Sequence, residues 1–521
     1  MRRRTQSVVR RTRSAVGRIP LLVAVILAVL GGLAIAAGTG WVAVVVLGTK
    51  NEPAAPLDIT KVALVVAGGV GGAVALVVAY RRQRDLESAR FIERFGAAAT
   101  QLGSPYTAVR VAGVYAMAVV ADESTGDRRQ QCIDVLCGYL RLPYDPTHGE
   151  SGRTKLVTKT VVQRDNVARD VEAEQEEHTE YRQNDKVVRQ TIVRVLAAHL
   201  RDHDNSWSDN NFDFTTAHLE DADFREATFS GTAVFDKATF SSDARFSGAT
   251  FSNDARFNET TFSNDAWFDE STFSGDAWFN KATFSNDARF NKATFSGDAR
   301  FNKATFSGDA RFNKATFSGD ARFNETTFSN DARFNKATFS GDARFNKATF
   351  SGDAWFREAT FSSDAGFGTA AFSGDAWFDE STFSGDARFY GASFSSTTVF
   401  DKARFSGNVG FNQAMFSSDA GFIEAIFSSD AWFSGARFSG TTGFDGATFS
   451  ATASFDKATF DASEVAGATV SFRGVGFGSS AVSFDNPRQW GPPTPAFDWN
   501  TAPSTKPDNV LPTSWPPTPV P

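Results

Sequence analysis

Few residues in this chain have types and spacings that could do chemistry. Cys132 and Cys137 are its only thiols, five residues apart in a stretch with helical spacing. Such a pair could ligate a metal or cycle as a disulfide. In a compartment that keeps thiols reduced, core packing is the expected role. His199 and His203 are four apart, a helical spacing that can hold zinc. No Glu follows the first His and no third ligand stands out, so the pair is expected to stabilise a helix C-terminus. Asp recurs in Ser-Gly-Asp, as at Asp287, Asp298 and Asp309. Calcium-binding rolls use a glycine-rich nine-residue repeat, and the period here is eleven, so these Asp read as solvated turn residues. No phosphate-binding glycine loop, nucleophile elbow or metalloprotease motif occurs. The expectation is a protein without catalytic residues, cofactor or metal.

Binding is the chemistry that remains. One outward column is mostly Arg, as at Arg289, Arg300 and Arg311, and becomes Trp at Trp267, Trp278, Trp355, Trp377 and Trp432. Exposed Trp is enriched in binding patches. Shielding of each indole by neighbouring Arg, through cation–π contact, is the equally open alternative. These eight residues are the candidate interaction surface.

The elements that position them follow from one period. From Phe224 to Phe460 a Phe recurs at alternating steps of five and six residues. The eleven-residue unit ATFSGDARFNK runs from Ala293 to Lys303 and repeats from Ala304 to Lys314. In Ala-Thr-Phe and Ala-Arg-Phe, alternation puts Ala and Phe on one face of an extended segment and Thr or Arg on the other. Ser-Gly-Asp and Asn-Lys fill the turns. A helix is disfavoured by so much Gly, Asn, Asp, Ser and Thr, and a right-handed coiled coil would want Leu, Ile, Glu and Lys. Two units close a coil of four short faces, so Phe stacks on Phe at i+22, as in Phe290, Phe312 and Phe334, and Trp355 stacks over Trp377. At a spacing of about 4.8 Å, about eleven coils make a rod on the order of 50 Å long.

The pattern resembles the pentapeptide-repeat proteins, in which Ala is followed by Asp or Asn, then Leu or Phe, then two variable residues. Phe214, Leu219, Phe224 and Phe229 are five apart, with Ala217, Ala222 and Ala227 two places ahead of the last three. The resemblance implies a β-solenoid, a right-handed quadrilateral β-helix. The departure is a sixth residue in every second unit, from Ser230-Gly231-Thr232 onward. It is mostly Gly, Asn or Ser, which suits a widened corner twice per coil, with positive φ for Gly and Asn.

The rest of the chain divides by composition. Residues 1–18 carry seven Arg and no acid. Ile19 to Leu47 and Val62 to Tyr80 are apolar runs long enough to span a bilayer, joined by a polar loop. Arg81, Arg82 and Arg84 follow, so the positive-inside rule puts both termini in the cytoplasm of a two-span plasma-membrane protein. A signal peptide, with Ala34-Ile35-Ala36 as cleavage site, is the alternative. Small residues recur every four positions in both runs, which suits packing of the two spans or self-association between chains.

Residues 81–205 read as a cytoplasmic α-helical region. One helix holds Phe91, Phe95, Ala98 and Leu102 and stops at Gly103-Ser104-Pro105. Others cover Val109 to Ala121 and Gln130 to Leu140. Pro143 to Thr160 reads as a loop, and Arg164 to Asn184 as an exposed charged helix. The last, Lys186 to His203, has Val187, Ile192, Val195, Leu196 and Leu200 for the core. The segments QLGS, VRVAGVYAM and CIDVLCGYLR resemble the helical region preceding pentapeptide repeats in actinobacterial membrane proteins. The rod occupies 206–486, with Phe472, Phe477 and Phe484 in an irregular capping coil. The proline-rich stretch 487–521 reads as a disordered or polyproline II tail.

The chain is acidic overall, at −7, but the rod is uneven. Lys281 to Lys347 holds 12 basic and 7 acidic residues, and Arg357 to Lys457 holds 6 basic and 12 acidic. The expected function is a membrane-anchored, non-enzymatic scaffold or spacer for an unknown cytoplasmic protein, without direct nucleic-acid binding. The alternative comes from the resemblance. Some pentapeptide-repeat proteins mimic DNA with an acidic rod and bind DNA gyrase, although the basic middle here argues against it.

Overall fold

The computed structural model describes residues 56–162, 173–461 and 467–520, with 31, 34, 37, 38, 41, 463 and 465. The first helix, α1, spans Pro56–Leu102 and contains the Val62 to Tyr80 run. Among the described residues, no helix is long and apolar enough to cross a membrane. The run from Ile19 to Leu47 lies outside the described residues except for five helical positions. The expectation of two spans therefore gains no support from the described structure. The stop after Leu102 stands where Gly103-Ser104-Pro105 puts it.

Three more helices follow, α2 (Thr107–Asp122), α3 (Asp127–Leu140) and α4 (Asp185–Arg201). Val188, Ile192, Val195, Leu196 and Leu200 of α4 are buried. Val187 is exposed, not in the core as expected, because Val188 takes the inward position one residue on. Arg110, Asp185 and Arg189 are buried together, with Asp185 accepting from both guanidinium groups at 2.8 Å. Tyr139 donates to the same carboxylate at 2.5 Å, and Arg189 also reaches the carbonyls of Leu140 and Leu142. A buried charge cluster holds only when its members are satisfied in this way.

Between α3 and α4 the structure has an antiparallel hairpin, β1 (Lys155–Val162) with β2 (Ala173–Glu180). Within the Arg164 to Asn184 stretch, residues 173–180 are thus a strand and not the expected charged helix, 164–172 lie outside the described residues, and the Pro143 to Thr160 stretch ends in a strand. β1 is rich in Val and Thr, and the register sets Lys155 opposite Glu180. Opposed charges across an antiparallel pair favour pairing that helical periodicity alone does not reveal.

The rod is a solenoid of about eleven turns with four parallel sheets of two-residue strands. Through the regular coils each strand pairs with its counterpart 22 residues on, as Ala288-Arg289 with Ala310-Arg311 and Thr294-Phe295 with Thr316-Phe317. Phe290 and Phe334 stack on either side of Phe312, each at 4.8 Å with planes 1° apart. Within a coil the rings meet edge to face, as Phe290 with Phe301 at 5.5 Å and 87°. Both arrangements suit the ring quadrupole. Burial of each ring contributes about 1.5–3 kcal/mol, so the Phe columns dominate the stability of the stack.

The corners depart from expectation in one respect. The five-residue steps close with a turn, Ala293 N–H donating to the Phe290 carbonyl at 3.1 Å. Positive φ falls there, on Lys292 (57°), Lys303 (59°) and their equivalents, not on the Gly of Ser-Gly-Asp. The Gly has another reason. A Cβ on Gly297 would lie 2.6 Å from the carbonyl carbon of Gly275 in the preceding coil.

Both ends of the rod are covered. At the start, Gln130 of α3 accepts from the backbone N–H of Asn211 at 2.9 Å and donates to its carbonyl at 2.8 Å. At the far end Phe472 stacks on Phe444 and Phe484 on Phe455, each at 4.7 Å, as an irregular coil. The proline-rich stretch then continues the stack and is not a free tail. Gln489-Trp490 pairs with Thr459-Phe460, and Val510-Leu511 pairs with Val482-Ser483.

Candidate interaction surface

The outward Arg and Trp fall into two columns on alternate sheets of the four. Trp267, Arg289, Arg311, Trp355 and Trp377 share one sheet, and Trp278, Arg300 and Trp432 share the sheet across the coil. The eight candidates therefore form two surfaces facing away from each other.

Along the regular coils the Arg are engaged with Asp. Arg300 sits 3.1 Å from both Asp298 of its own coil and Asp276 of the coil before. Arg311 spans Asp309 and Asp287 at 3.0 and 3.1 Å. The same carboxylates accept the N–H of the next Asp in line, Asp298 from Asp320 and Asp320 from Asp342, each at 3.2 Å. Burial opposes the charge of Asp298, but the bonds from Arg300 and the Asp320 N–H and the nearby Arg322 hold its carboxyl below the usual range. The Asp of Ser-Gly-Asp is thus a rung between coils as well as a turn residue. Asn forms a second ladder at the other corners, Asn324 donating to Asn302 and Asn302 to Asn280, both at 3.1 Å.

The Trp have three environments. Trp267 lies between Arg245 and Arg289 at 5.3 and 5.6 Å, and Trp278 between Arg256 and Arg300 at 5.2 and 5.3 Å. For these two the cation–π shielding holds. Trp355 and Trp377 stack at 5.6 Å with Arg357 over both rings, and their buried indole N–H groups have no protein acceptor. Trp432 lies between Gly410 and Ser454 in its column, without an Arg on either side.

The other candidates are structural. Cys132 and Cys137 are buried and unpaired, and burial pushes their thiols up to about 11 and about 12. A thiol-specific reagent at about pH 8 is expected to leave both unmodified in the folded protein and to label two thiols on unfolding. Rapid labelling of the native chain would contradict that packing. His199 stacks on Trp207 at 3.9 Å, and Asp122 accepts from the Trp207 indole at 2.9 Å beside His199 at 3.3 Å. The His199 ring therefore faces Trp207 and Asp122 of α2. Among the described residues no group of three or more His, Cys, Asp or Glu is placed to hold a metal.

A cavity of about 740 Å³ lies at the base of the hairpin, lined by Tyr144, His148, Lys155, Tyr181, Arg182 and Asp185 among others. Its walls come from a loop and a hairpin that periodicity did not join.

Six overlapping segments between residues 214 and 469, about half the chain, match a family model described as pentapeptide repeats in nine copies. No curated protein and no solved structure matches the chain.

Proposed function

The chain belongs to the pentapeptide-repeat family, and from that premise we propose that it is a non-enzymatic scaffold whose rod presents fixed surfaces to a protein partner. The observation that carries this reading is the use of the repeated polar side chains. Asp and Asn of the regular coils bond to the neighbouring coil, and each Arg pairs with the Asp of its own coil and reaches that of the coil before, which makes a stiff support. Against that background the Trp355–Trp377 stack and Trp432 are departures the ladder does not require. Tethering to the plasma membrane through 19–80, with the rod in the cytoplasm, is part of the proposal. Its support is the two apolar runs and their flanking Arg in the sequence. The gyrase-binding alternative ranks second, since Lys281 to Lys347 carries a net charge of +5 where a DNA mimic needs acid.

The test is a crosslinking pull-down from native membranes with the full chain beside a version keeping only residues 1–205. Partners held by the full chain and lost without the rod are the expected result. Identical partners for both would move the function to the helical region and leave the rod a spacer.

A further inference from the structure

Where the Arg–Asp ladder stops, the rod changes surface. The column that carries Trp355 and Trp377 continues through Val399, Gly421 and Gly443, one residue per coil. In earlier coils this position is Arg or Trp, and a Gly within a strand weakens it. The fold does not demand Gly here. A Cβ on Gly443 would meet nothing closer than Ile423 at 3.4 Å, and one on Gly421 would meet only the end of the Asp401 side chain at 2.7 Å. A strand glycine without an internal steric reason leaves room for another backbone to come close.

The walls of this floor say what approaches. Ile423 is 41% exposed beside it, and the stacked Trp close one end. Asp375 and Asp419 precede the column, and Asp401, Glu424 and Asp445 follow it at the next corner. Asp419 stands where earlier coils pair such an Asp with Arg, but the Arg positions in its own coil and the next are Gly421 and Gly443. Asp401 is half-buried; burial, with Asp379 and Glu424 nearby, pushes its carboxyl up, while the Ile423 N–H works against the shift. From Arg357 to Lys457 acids outnumber bases 12 to 6.

We propose that the face running from Trp377 through Val399 and Gly421 to Gly443 docks an extended Lys/Arg-rich segment of a partner protein, with an apolar residue of that segment seated on Trp377 and Ile423. The partner's cations pair with Asp419, the one rung the missing Arg leave empty, and with Glu424 at the adjoining corner, and the Gly admit its backbone. Three coil steps of about 4.8 Å and the flanking Trp accommodate about five to eight extended residues. This inference rests on the scaffold reading and adds the site and the chemistry of the partner.

The probe is a fluorescein-labelled peptide of about eight residues alternating Arg and Leu, read by anisotropy against the full-length chain, with a Glu/Leu peptide beside it. Gly421→Arg/Gly443→Arg restores the residue type that regular coils carry and is checked for unchanged circular dichroism. Gly410→Arg makes the same change on the sheet across the coil. The expected result is binding of the Arg peptide alone. It should weaken by about ten-fold or more, or about 1.4 kcal/mol, in the double variant, and stay unchanged in Gly410→Arg. Equal weakening in both variants would mean diffuse attraction to an acidic rod and would overturn the site, as would no binding at all. In the pull-down, rod-dependent partners retained by the double variant would also overturn the inference while leaving the scaffold reading standing.

Discussion

By light scattering, a chain ending at Asn486 should aggregate or dimerise end to end, whereas the full chain should not. The residues removed carry the last turns of the stack. Phe497 lies on Phe472 at 4.8 Å, and Trp490 meets Phe460 edge-on at 5.5 Å. Trp515 closes over Phe484 at 5.9 Å and over Phe497 at 5.0 Å. Phe497, Trp499 and Val510 are buried. Truncation uncovers at least two large rings and leaves the Val482-Ser483 edge without its partner strand. An exposed parallel edge with an apolar core behind it is a template for another chain. Burial of two aromatic rings is worth about 3–6 kcal/mol, enough to lower the melting temperature of the terminal coils. A disordered tail would predict no change in either measurement, so an unaltered, monodisperse truncation would refute the capping role.

The sequence shows the core because every stabilising column repeats at one period. Phe290, Phe312 and Phe334 stack as their spacing requires, and so do Trp355 and Trp377. What it hides are contacts that depend on the neighbouring coil. Gly297 reads as a residue for positive φ, yet its role is to clear the carbonyl of Gly275, a constraint no local pattern carries. Positive φ on Lys292 is forced by closing a five-residue corner, against the preference of the residue itself. The tail misleads because proline content reports the backbone's own tendency, while Trp490, Phe497 and Trp515 find rings to pack on only once the preceding coil exists. The hairpin is missed for a similar reason, since charged residues such as Glu174, Glu176 and Glu177 read as a solvated helix until β1 is set opposite them. At the candidate surface, the sequence identifies the Trp but not their division between two sheets. It leaves the shielding of Trp267 and Trp278 open, because the period sets an Arg on either side of each but does not say whether the guanidinium lies over the ring or turns to solvent.

Two deletions should separate the repeat that matters from the repeat that merely recurs. Removing Ala304–Lys314 takes out one whole unit and joins Lys303 to Ala315, restoring the same local sequence. Each later coil then lands half a turn round, where every column meets its own kind. Phe still faces Phe, Arg still falls between two Asp, and five-residue corners still lie on five-residue corners. This variant should fold with circular dichroism close to the parent's and melt within a few degrees of it. Its Trp355–Trp377 stack should move to the sheet that carries Trp278. Removing Thr305–Ala310 keeps the Phe spacing acceptable, since Phe301 and Phe312 become five apart. The later chain then turns by one face only. Thr316 falls against Arg289, and the corner at Ser318-Gly319-Asp320 falls on the positive-φ corner at Asn291-Lys292. At that junction the Asp and Asn rungs lose their acceptors, and each buried backbone group left without one costs about 1–3 kcal/mol. Several such groups at one junction offset much of what its Phe rings contribute, so the stack should be weakest there. The expected readout is early, separate melting of the two segments and protease cleavage at the junction. Equal stability of the two deletions would show that the Phe columns alone hold the rod and that the polar ladders add nothing.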